Sequence, residues 1–100
     1  MAVTGSYRVS AEMMGNKAEG TMTLRAKGSQ LEGTVRGLGM DADLQDGAVS
    51  GDTFTGIVEG PTPLGQMRFK VKGAVSGDKV EGTLKAGLMT VKFAGTRITL

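Results

Sequence analysis

The chain says nearly the same thing twice, and this repeat limits what it can fold into. Leu31-Glu32-Gly33-Thr34-Val35 recurs as Val80-Glu81-Gly82-Thr83-Leu84, and the stretch from Met40 to Leu44 recurs from Met89 to Phe93, both 49 positions on. Met22-Thr23-Leu24-Arg25 matches Phe69-Lys70-Val71-Lys72 at 47 positions, so the second half carries a slightly longer turn at Ser76-Gly77-Asp78-Lys79. Two related halves, about 5–50 and 53–98, each of about four alternating strands, predict one sheet closed on itself in a single domain over residues 1–100.

The strands are legible because apolar and polar residues alternate, with no helical stripe in any window. The first strand, from about Thr4 to Met13, turns Tyr7, Val9, Ala11 and Met13 inward and Ser6, Arg8, Ser10 and Glu12 outward. The same parity puts Met22, Leu24 and Ala26 inside on the second strand, Leu31, Gly33 and Val35 on the third, and Met40, Ala42 and Leu44 on the fourth. Ala48-Val49-Ser50, between Asp46-Gly47 and Gly51-Asp52, reads as an irregular connection or a bulged strand end. Phe54, Gly56 and Val58 point inward on the fifth strand. The stretch from Gly60 to Gly65 reads as a loop because Pro61 and Pro63 remove ladder donors. Met67, Phe69, Val71, Gly73 and Val75 follow on the sixth, Val80, Gly82 and Leu84 on the seventh, and Met89, Val91 and Phe93 on the eighth. The expected architecture is all-β: an eight-stranded antiparallel up-and-down closed barrel, whose interior is filled by side chains or holds one small ligand.

Composition removes most enzyme classes. There is no cysteine and no histidine, so thiolate metal sites, histidine-based metal sites and the triads and dyads built on histidine cannot be assembled from this chain. Asp41 and Asp43 share a face, but it is the outer one, near Arg36, where a surface ion pair is the simpler reading than a catalytic dyad. No catalytic residue, metal ligand set or cofactor is expected. The net charge is +2 with the basic residues dispersed, and the four aromatics all read as inward, so no stacking platform for nucleic acid is offered. No stretch approaches the roughly 20 apolar residues of a membrane helix, and the N-terminus lacks a signal-peptide core, so neither a nucleic-acid nor a membrane partner is expected and the chain reads as cytoplasmic.

A meander alternates its connections between two ends, and the ends differ in chemistry. One collects Met13-Met14-Gly15-Asn16, Gly37-Leu38-Gly39-Met40, the Gly60 to Gly65 stretch and Ala86-Gly87-Leu88-Met89; the other is polar and mostly acidic. Apolar loops at a barrel mouth suit an entrance or a partner surface. With seven methionines in the chain, the candidate ligand-binding residues are Met13, Met14, Met22, Leu38, Met40, Leu64, Met67 and Met89, with Tyr7 as the one inward hydroxyl-bearing aromatic. Methionine fills irregular core gaps and also adapts to varied apolar ligands, so both uses stay open. Tyr7 either orients a ligand or satisfies its hydroxyl at the rim.

Gly5-Ser6-Tyr7 resembles the Gly-x-Trp opening of the lipocalins and avidins, with tyrosine in the tryptophan position. Lipocalins carry a C-terminal helix, and avidins an aromatic-walled site, that this chain lacks, so neither function carries over. Leu31 to Val35, Asp46 to Asp52, Val80 to Leu84 and Phe93-Ala94-Gly95-Thr96-Arg97 are similar to small bacterial calycin-like domains found alone or appended to enzymes. That resemblance implies the same barrel fold and a ligand-binding role. Three functional readings follow: binding of a small apolar molecule in the barrel; an accessory module that self-associates or docks on an enzyme domain; and an enzyme that acts on an apolar substrate by shape alone.

Overall fold

The computed structural model describes residues 3–13, 15–37, 40–62 and 65–98. Eight strands run in sequence, β1 (Gly5–Met13), β2 (Asn16–Lys27), β3 (Gln30–Gly37), β4 (Met40–Ser50), β5 (Thr53–Thr62), β6 (Gly65–Ser76), β7 (Lys79–Ala86) and β8 (Met89–Ile98). Each pairs antiparallel with the next, and β8 returns to β1 through Ser6↔Ile98 to Ala11↔Phe93, which closes the barrel so that every strand has a neighbour on both sides along part of its length. No helix occurs among the described residues.

Tight turns make the meander possible. Gly28, Gly51, Gly77 and Gly87 each open a two-residue connection with φ between 59° and 62°, a backbone conformation that glycine reaches without penalty at the first central position of a hairpin turn. At one end, the turns then tie onto the barrel wall. The Ser29 carbonyl accepts from the Val49 N–H (2.9 Å), that of Asp52 from Val75 (2.8 Å) and that of Asp78 from Arg97 (2.6 Å). Each polar-end turn is thereby fastened to the strand after the hairpin it belongs to.

The inward alternation holds around the barrel. Tyr7, Phe54 and Phe69 are buried together with Met22, Leu24, Leu31, Phe93 and the inward valines, and Ala18, Ala26, Leu44, Met67, Ala86 and Met89 pack against them half-buried. Leu44, expected inside, is only partly covered because the ladder slips beside it. Register shifts fall between Leu31 and Thr34 on β3 and between Gln45 and Ala48 on β4, and Asp46 takes a positive φ of 51° there. This is a β-bulge within one continuous strand, so β4 reaches Ser50 and the segment is not a separate connection. Past the bulge the parity inverts, and Val49, opposite Phe54, packs against the core while Ala48 is exposed.

The stretch from Gly60 to Gly65 departs from its expected loop. Gly60, Pro61 and Thr62 continue β5, and Gly65 begins β6, with Pro61↔Gln66 and Thr62↔Gly65 in register. Pro61 is tolerated because the β4–β5 register begins at Leu44↔Val58, so at residue 61 the strand has a ladder partner on one side only.

Candidate functional site

The two ends of the barrel are built differently, starting from the residues at the mouth of each. At the polar end the interior is plugged. Val3, ahead of β1, is buried, and its carbonyl accepts a hydrogen bond from the Tyr7 hydroxyl at 2.7 Å. Arg97, at an inward position of β8 opposite Tyr7, lays its guanidinium over the Tyr7 ring at 5.0 Å and donates from Nη1 to the Thr4 carbonyl at 2.6 Å. The Thr4 hydroxyl in turn accepts from the Ala26 N–H at 3.1 Å, and Asp78 pairs with the Arg97 Nε at 3.7 Å. Burial pushes the Tyr7 hydroxyl above its ordinary pKa of 10.0, and the nearby Arg97 charge offsets part of that rise. The cluster spends its polar groups on one another and fastens the first strand to the last.

At the other end the inward positions are small or flexible. Ala11 faces Ala18 across β1 and β2, with Gly20 opposite Val9. Ala42 on β4 and Gly60 on β5 are buried, Gly60 lies opposite Met67, and Ala86 opposite Met89. Val35 on β3 and, at the same depth, the facing pair Leu84 and Val91 on β7 and β8 are the branched residues below that mouth, whereas Leu24, Leu31, Phe54, Val75 and Val80 fill the polar half. No buried side-chain nitrogen or oxygen among the described residues lacks a partner, so the interior offers apolar contact and no polar anchor.

The candidates from sequence therefore separate. Met67 and Met89 sit half-buried toward the methionine end, and Met22 is fully buried opposite Tyr7 in the core. Tyr7 itself belongs to the polar half, with its hydroxyl engaged. Met13 and Met40 close the β1 and β4 ladders at the methionine end, opposite Asn16 and Gly37, and their side chains lie outside the description. Met14, Leu38 and Leu64 lie outside the described residues. Arg97 and Val3 were not singled out by sequence reasoning. The signal for Arg97 was its odd number on β8, the inward parity of Met89, Val91 and Phe93.

Among the described residues the outer wall shows no acid–base constellation. Asp41 lies opposite Arg36, but its Oδ1 accepts from the Gly37 N–H at 3.2 Å and no ion pair joins the two among the described residues. Arg25 and Lys27 grip Glu32 at 3.2 and 3.3 Å and hold its carboxyl below its ordinary pKa. No group of three or more potential metal-ligating side chains occurs among the described residues. Depressions of about 620 and 460 Å³ lie over Gly82 and Gly33, the paired glycines of the repeat, where absent side chains thin the wall.

The fold has a solved counterpart. A redesigned β-barrel superposes on 98% of this chain and 93% of its own with a TM-score of 0.77, at 14% sequence identity. The likeness is one of architecture. No family model matches the chain, and no curated protein matches it.

Proposed function

We propose that the barrel takes up a small apolar molecule at its methionine end. The observation that carries this reading is the uneven filling of the interior: Leu24, Leu31, Phe54 and a latched Tyr7–Arg97 cluster at one end, and alanine, glycine and methionine outermost at the other, above Val35, Leu84 and Val91. Small inward residues need less of the space near the mouth than leucine or phenylalanine would, and methionine reshapes around what enters. An apolar guest suits the site because, among the described residues, no buried polar side-chain atom is left unpaired. The resemblance of Leu31 to Val35, Asp46 to Asp52, Val80 to Leu84 and Phe93 to Arg97 to small calycin-like domains supports the same reading.

The test is uptake of a fatty acid or an environment-sensitive apolar dye by the folded protein. Saturable binding at one site per chain is expected, and Ala18→Leu with Ala86→Leu, which fill the space with carbon, should weaken it about tenfold or more while the barrel still melts cooperatively. Absence of uptake, with a concentration-dependent dimer instead, would favour the accessory-module reading.

A further inference from the structure

The outer wall of β6, β7 and β8 carries charges that folding does not ask for. Arg68, Lys70 and Lys72 are exposed on β6, Lys85 on β7 and Lys92 on β8. The register sets Lys70 directly opposite Lys85, Lys72 opposite Thr83, and Thr83 opposite Lys92. Like charges directly opposed on a sheet are destabilising, so this juxtaposition works against the fold. Of the five, only Arg68 meets an acid among the described ion pairs, and loosely, with Glu59 at 4.0 Å. Arg68, Lys70 and Lys85 rim a depression of about 290 Å³ whose remaining lining is Ile57, Ala86 and Gly87, with no carboxylate in it.

That depression ends at the β7–β8 turn, where the next residue, Leu88, is fully exposed and is the one exposed large hydrophobic among the described residues. A leucine held in water at a turn tip gains by entering an apolar phase, and cations a few residues behind it gain by approaching anions. We infer that this edge of the barrel docks peripherally on an anionic lipid surface, with Leu88 entering the headgroup boundary and Arg68, Lys70 and Lys85 receiving lipid phosphates. The expectation of no membrane partner rests on the lack of a spanning segment, and peripheral docking requires none. A nucleic acid fits less well, since all four aromatics are buried and none is left to stack on bases. A soluble polyanion would leave Leu88 without a role.

The chain has no tryptophan, so Leu88→Trp is a clean reporter. Mixed phosphatidylcholine and phosphatidylglycerol vesicles should shift its emission to the blue and carry the protein into the pellet, whereas phosphatidylcholine vesicles alone should do neither. Added salt should release it. In the unaltered background, Leu88→Asp and the pair Lys70→Glu with Lys85→Glu should each weaken sedimentation with the mixed vesicles about tenfold or more, with circular dichroism unchanged. Unshifted tryptophan emission on the mixed vesicles would overturn the proposal. So would sedimentation that survives either Leu88→Asp or the double charge reversal, the former being the outcome for a soluble-polyanion surface.

Discussion

Tyr7 and Arg97 show how much one polar pair does in an apolar barrel. The Tyr7 hydroxyl is satisfied by the Val3 carbonyl, and the same ring supports the guanidinium that reaches Thr4, so one side chain ties the segment ahead of β1 to β8. Tyr7→Phe keeps the ring and removes the donor, leaving a buried carbonyl short of a partner; chemical denaturation should read a loss of about 1–2 kcal/mol. The Asp78 carboxylate is mostly exposed, so Asp78→Asn should change stability by well under about 1 kcal/mol. The pH dependence follows from the raised pKa of Tyr7. The folded chain holds this proton more tightly than the unfolded one, so stability is unaffected below the ordinary tyrosine pKa of 10.0 and falls as pH rises above it. With a single tyrosine, tyrosinate absorbance reports the same group, and Tyr7→Phe should remove this part of the alkaline loss. An alkaline profile identical in the two proteins would contradict the assignment.

At the scale of elements, glycine spacing and bulges shape the wall. A Cβ on Gly82 would run into the Lys72 carbonyl oxygen, and one on Gly33 would stand 2.6 Å from that of Thr23, so the two halves of the repeat place glycine where a neighbouring strand comes close. The Gly82→Ala change should therefore destabilise by about 1–3 kcal/mol, the range for overpacking, where an exposed strand position would barely respond. Thermal melting of Gly82→Ala beside a Lys85→Ala control checks this. Alternation and turn glycines made the eight strands readable, because both are local signals. The slip at Asp46 was not readable in the same way: a bulge is fixed by how two strands must coil past each other, and Val49 then takes the inward place that counting from Leu44 would assign to Ala48. Pro61 misled for a related reason, since its missing donor matters only where a neighbouring strand would accept from it, and the β4–β5 pairs stop at Val58. The latch was hidden because Arg97 and Val3 acquire their meaning from Tyr7 across the closing β1–β8 seam.

For the molecule as a whole, the closed sheet makes burial depend on every strand at once. Phe69, fully buried on β6, fills the middle of the interior, and Phe69→Ala should remove roughly 3–5 kcal/mol, a large share of what holds a small domain together. Denaturation that changes by less than about 1 kcal/mol would mean that the interior collapses freely around the gap. The contrast between a latched, aromatic-filled half and a mouth where alanine, glycine and methionine lie outermost, above Val35, Leu84 and Val91, is the feature from which the functional account grows. The most direct test is a titration of the protein carrying carbon-13 methionine methyl groups with a fatty acid, followed by nuclear magnetic resonance. The account predicts that the Met67 and Met89 methyl signals shift and saturate together at one ligand per chain while the Tyr7 ring signals stay in place; methionine signals that do not move, or a Tyr7 shift that leads them, would contradict it.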